Sequence, residues 1–293
     1  MLNPYGDKKG QHSMGEQINW LQIIILSFLQ GLTEFLPISS SAHLVIPSQI
    51  GIWSDQGLTF DVAVHFGSLF AVIIYFRREV RDLIHQFFAL VGKILAFKLD
   101  FRNELGSTED TINLVHLLVA TIPILFAGFI LKDIAENQLR SLPIIATSTI
   151  LFGLILWLAD SKRTIQKTQK RMTMSRALLI GIAQIAAIIP GASRSGVTIS
   201  AALFLGMDRE RASRFSIMLG IPTICGAMAL LTSQIPIADL SSISISFMGA
   251  VLISFFVAYA SIHYFLKYVS KLGFLPFVIY RLCLGTFLFY LSF

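Results

Sequence analysis

The chain has 293 residues, of which 55% are hydrophobic and only 14% charged, with 24 phenylalanines. Soluble domains carry roughly 25% charge, so this composition excludes a water-soluble enzyme and a disordered chain alike. The excess of 23 Lys and Arg over 17 Asp and Glu, a net +6, calls for no nucleic-acid partner, because basic loops on one side of a bilayer account for it.

Residues 1–17 are polar, lack a small-residue cleavage pattern, and read as a tail ahead of a single integral-membrane domain, 18–293. Apolar segments follow at about 18–36, 59–76, 112–131, 139–159, 176–192, 215–233, 245–266 and 274–292, each near the roughly 20 residues that cross a bilayer. Two further apolar pieces, 42–52 and 197–206, are too short to span. Between the second and third segments, 80–98 sets charges between apolar pairs at helical spacing, as in a helix on the membrane surface or beside a bundle. Cys225 and Cys283 lie in apolar runs and serve as small hydrophobes.

Basic residues sort the loops. The stretches 77–104 and 160–176 hold six each, 207–214 three and 267–273 two, whereas 37–58 and 234–244 hold none and 132–138 only Lys132. The first group belongs in the cytoplasm. A single crossing at 176–192 cannot join two cytoplasmic loops, so 176–206 is expected to enter, turn at Pro190-Gly191 and return. Broken backbone of this kind is tolerated only inside protein or beside a wet cavity.

The two halves correspond. Gln30 to Pro37 and then Phe60 is matched by Gln184 to Pro190 and then Phe215. Each half reads as a helix, a Pro turn, a small polar cluster, a short apolar piece and three spans. An odd number of spans turns the second copy upside down, so the expected fold is all-α and polytopic. It is an inverted-topology repeat (about 18–159 and 176–293) with six full spans and two re-entrant hairpins.

Ionisable groups inside such segments are expensive and mark sites. In the first cluster, Gln30 and Glu34 share a helix face and precede Pro37, Ser39, Ser40, Ser41 and His43. In the second, Pro190-Gly191 breaks a helix, and Ser193, Arg194, Ser195 and Thr198 stand at the start of the next. A helix N-terminus with a guanidinium beside it is an anion site of the phosphate kind. Glu34 adds a base or metal ligand, Ser40 a hydroxyl and His43 an imidazole, which together supply phosphoryl transfer to water. His65 reads as packing or support, His85, His116 and His263 as structural, and Arg281 as an ion-pair or headgroup contact. The competing function is a transporter or flippase for an anionic lipid, since inverted repeats with broken helices are a transporter plan.

The stretches QGLTEFLPISSSAH (30–43) and PGASRSGVT (190–198) closely resemble the two motifs of the bacterial undecaprenyl-diphosphate phosphatase family of the bacitracin-resistance type. The resemblance extends to FDVAVHFGS (60–68) and PFVIYR (276–281). It implies a multi-pass enzyme of the bacterial inner membrane, with its site toward the outer side, that removes the terminal phosphate of a polyprenyl diphosphate. It also implies a divalent cation, Mg2+ or Ca2+, with Glu34 as ligand, while leaving homo-oligomerisation open. Carried over by position, Glu34, Ser40, His43 and Arg194 are catalytic, and Gln30, Ser39, Ser193, Ser195 and Thr198 bind substrate. Gln30 stands where many relatives have Glu. The acid-phosphatase-like lipid phosphatases are excluded, because Ser200 occupies the place of their second-motif His.

Overall fold

A computed structural model describes residues 19–96, 112–163, 172–233 and 245–292. The 1–17 tail, residues 164–171 of the basic 160–176 stretch and the 234–244 loop lie outside the described residues. The described chain is helical without strands: α1 (Trp20–Thr33), α2 (Ser40–Gln49), α3 (Gly57–Tyr75), α4 (Arg77–Leu95), α5 (Leu114–Asn137), α6 (Leu142–Arg163), α7 (Met174–Gln184), α8 (Arg194–Phe204), α9 (Arg209–Thr232), α10 (Ile245–Leu272) and α11 (Leu275–Leu291). A 3-10 turn, Ile185–Ile188, extends α7. Asn19, Asn113 and Asp208 cap α1, α5 and α9, each accepting a backbone N–H three residues on, the ordinary remedy for unpaired donors at a helix start.

Five helices, α3, α5, α6, α9 and α10, are long and apolar enough to cross a membrane. The sixth expected span is the 17-residue α11, about 25 Å long. It runs antiparallel along α6: Phe274 N–H donates to Asp160, Arg281 lies against Gly153, Gly285 against Ile150, and Leu288 clusters with Ile145 and Ala146.

The directions of the helices establish the inversion. Gly67 of α3 abuts Val251 and Ser254 of α10, and Tyr75 meets Tyr259 and His263, so α3 and α10 run parallel. A duplication in the same sense would make α3 and α10 antiparallel and α6 and α11 parallel; both relations are reversed. The contacts also exchange between halves, α1 packing on α10 and its counterpart α7 on α5, while α3 packs on α9 and α6 on α11.

One end of the bundle gathers the described basic loops. Arg209 makes a two-pronged ion pair with Asp160 at 2.6 and 2.7 Å, and Arg214 reaches Glu79 at 2.6 Å. The start of α4 and the last turn of α10, with Lys271, complete this end. Helix α4 lies beside the bundle, its Phe87 and Phe88 exposed, and Val80 and Leu83 face a groove shared with α5 and α9.

Candidate active site

The two breaks in the helices have the same backbone. Ser39 (φ 73°, ψ 90°) and Ser193 (φ 69°, ψ 110°) both stand immediately before a short helix, in the left-handed region that L side chains avoid. In each turn the first serine hydroxyl lies 3.2 Å from a second, Ser41 or Ser195. This geometry sets Ser39 opposite Ser193, and so corrects by one residue the sequence register that paired Pro37 with Pro190. Ser40 and Arg194 are then equivalent positions, and so are the fully buried Gln30 and Gln184. Gly191 (φ +91°) is required at its turn, because a side chain there would strike Ser148, Thr149 and the Ile145 carbonyl.

The tips meet inside the bundle. Arg194 Nη2 lies 3.1 Å from Glu34 Oε1, and its Nη1 donates to the Ser216 carbonyl at 2.9 Å. The guanidinium sits 5.7 Å from the Phe35 ring centroid, and Gly220 leaves it space that any side chain would fill. Glu34 Oε2 accepts from Ser40 Oγ at 2.8 Å and Gln30 Nε2 at 3.0 Å, with His65 Nε2 3.8 Å away. Ser195 Oγ donates to the Leu36 carbonyl at 2.8 Å, tying the second turn to the first.

Glu34, Ser39, Ser40, His65, Ser193 and Arg194 form the polar end of a cavity of about 680 Å³ whose remaining wall is largely apolar, from α5, the 3-10 turn and α9. Arg194 uses two of its five N–H donors on protein partners, which leaves the others for an oxyanion at the start of α8. Such a cavity suits a ligand with an anionic head and an apolar body.

A family model described as "Bacitracin resistance protein BacA" matches residues 23–287. The chain is 48% identical over 267 residues to "Undecaprenyl-diphosphatase 1" of Pseudoalteromonas translucida (strain TAC 125), covering 91% of this chain and 96% of that protein. It is 47% identical over 271 residues to "Undecaprenyl-diphosphatase" of Aliivibrio salmonicida (strain LFI1238), covering 92% and 97%. The chain belongs to the BacA family.

The remaining residues of this BacA-family chain fall into place around the cavity. Ser195 and Thr198 do not line it. Thr198 bonds the carbonyls of Arg194 and Ser195 and the Ser216 hydroxyl (2.7 Å), so both side chains brace the turn. His43 also faces away: Nδ1 meets the Ser39 carbonyl at 2.7 Å and Nε2 the Tyr280 hydroxyl at 2.5 Å. A carbonyl only accepts, so Nδ1 carries the proton and Nε2 accepts from Tyr280. Both ring nitrogens are thus occupied, and in this arrangement His43 holds the Ser39 turn.

The sequence reading of Arg281 is corrected. It is fully buried and, among the described residues, has neither a carboxylate nor a headgroup-facing surface. It donates to the carbonyls of Thr149 (3.1 Å), Pro37 (3.2 Å), Gly191 (2.9 Å) and Ala192 (3.0 Å), clamping both turns to α6. The sequence marked it only as an unusual charge in a span. His65, read as packing or support, stands in the cavity wall; its polarity within an apolar span was the available signal. Ser216 and Gly220 gave none, being small residues in a helix.

The donor set bears on a metal. Among the described residues no three His, Cys, Asp or Glu gather, so side chains alone do not form a cage. Gln30 Oε1, however, is buried without a hydrogen-bond partner beside the Glu34 carboxylate. One carboxylate and one amide oxygen fit a hard cation that draws its other ligands from phosphate oxygens and water.

Proposed function

We propose that this chain hydrolyses undecaprenyl diphosphate to undecaprenyl phosphate and inorganic phosphate, returning the carrier lipid to envelope synthesis and conferring bacitracin resistance. The observation that carries the reading is a single carboxylate, Glu34, held between the Ser40 hydroxyl of one repeat and the Arg194 guanidinium of the other. Arg194 and the first turn of α8 bind the terminal phosphate. Ser40 Oγ attacks its phosphorus as Glu34 takes the hydroxyl proton. The bridging P–O bond breaks, and the lipid monophosphate leaves with the bond's electron pair. Glu34 passes that proton to the departing monophosphate, then takes one from a water that attacks the phosphoserine phosphorus; the P–O bond to Ser40 breaks, Ser40 Oγ regains its proton from Glu34, and inorganic phosphate leaves. The charge of the transferred group spreads over its equatorial oxygens, so fixed positive charge is the main catalytic requirement. Glu34 and Gln30 Oε1 would hold Mg2+ or Ca2+ together with the diphosphate; the ion would supply further positive charge.

Purified protein should release phosphate from a C55 diphosphate without any membrane gradient, and a chelator should abolish the release. Arg194→Ala should fold yet lose about 10²-fold or more in kcat. Turnover that requires a gradient would instead favour the transporter reading, and near-normal turnover by Arg194→Ala would refute the mechanism.

The cavity runs from Arg194 toward Ser233, away from the basic end. With basic loops kept in the cytoplasm, we place this protein in the bacterial inner membrane with its site open to the outer side. In intact spheroplasts a membrane-impermeant maleimide should label Ser233→Cys and spare Arg78→Cys; the reverse pattern would invert the assignment.

A further inference from the structure

A polyprenyl chain must leave the phosphate pocket by some route, and the walls differ in what they allow. The cavity's distal part lies along the seam of α5 and α9, where Leu125 packs directly onto Gly226. Leu125 and Phe129 line the cavity and are also 43% and 74% exposed, which makes this flank a mouth. The surrounding α5 surface, with Phe126 and Ile130 exposed, is apolar, so the mouth faces hydrocarbon. At its centre a side chain added to Gly128 would meet nothing within 4 Å. A helical glycine costs about 1 kcal/mol relative to alanine, and here it keeps open space in the wall.

Resting on the proposed phosphatase reading, we propose that the substrate's isoprenoid chain leaves the phosphate pocket sideways over Gly128, between Leu125 and Phe129 of α5 and Ala227 and Leu230 of α9, and that Gly128 sets the room available to it. The other large groove, about 540 Å³ between α1, α10 and α11, is lined almost wholly by apolar groups. It approaches the site only at Leu36 and has no polar end, so it does not receive the chain of a bound diphosphate.

The test is a graded series, Gly128→Ala, Gly128→Leu and Gly128→Phe, assayed for phosphate release from a C55 diphosphate in detergent, with Ala260→Phe in the second groove as control. Each replacement is a better helix former than glycine, and thermal unfolding checks that each variant folds. Loss of binding shared by ground and transition states raises KM and leaves kcat alone. KM should therefore climb with side-chain size, reaching about tenfold or more for Leu and Phe, with kcat within about twofold and Ala260→Phe unchanged. An unchanged KM through Leu, a fall in kcat without a rise in KM, or an equal KM rise in Ala260→Phe would overturn the route. Absence of phosphate release by the unmodified protein would instead sink the phosphatase reading itself, so the two failures are distinguishable.

Discussion

The two hairpin turns share one backbone and carry opposite chemistry. Ser39 and Ser193 adopt the same left-handed conformation, and each turn repeats the same serine pair at 3.2 Å. Yet Ser40 stands where the second turn has Arg194, His43 where it has Val197, and Glu34 where it has Ile188. A symmetric pair of turns would bring like groups together at the contact, cation on cation or carboxylate on carboxylate. Divergence of the side chains on a conserved frame lets a carboxylate and a hydroxyl from one leaflet's hairpin meet a guanidinium from the other's. The duplication supplies the geometry, and the broken symmetry supplies the site.

The most severe way to break this comparison is to undo the divergence. Arg194→Ser gives the second turn the side chain of the first, so it should keep the fold and lose about 10²-fold or more in kcat, measured as phosphate release. Next comes the clamp shared by both turns. Arg281→Met leaves four carbonyls without their donor, and a buried acceptor stripped of its donor costs about 1–3 kcal/mol. Thermal unfolding in detergent should report a large drop, with Arg281→Lys recovering only part of it, because one ammonium cannot reach all four acceptors with a planar fork's geometry. The smallest effect sharpens the comparison. Ser193 Oγ caps α8 by accepting the Gly196 N–H at 3.1 Å, whereas Ser39 makes no such bond to α2. Ser193→Ala should cost about 1 kcal/mol of stability and Ser39→Ala markedly less; equal losses would show that the turns are held alike.

Much of this was legible in the chain. Hydropathy located the five helices long and apolar enough to span and the shorter α11, with ends off by up to about six residues, and the conflict between two basic flanks around 176–192 required a broken helix there. The polar clusters stood out because Glu34 and Arg194 are costly among apolar neighbours. What the sequence withheld depends on a distant helix. The Tyr280 hydroxyl turns His43 away from the cavity, and the Arg281 guanidinium reaches both turns; neither follows from local pattern, because both require α11 to lie along α6. The register error at Pro37 has a similar cause. Prolines mark where a helix stops, whereas the left-handed serines mark where the next begins.

Arg281 also orders the making of the molecule. Both turns are synthesised well before α11 leaves the ribosome, so through most of translation the carbonyls of Pro37, Gly191 and Ala192 lack the donor that fixes them. The bilayer thus receives a nascent chain whose two turns are not yet tied to each other by Arg281, and that tie forms late, when the final helix packs along α6.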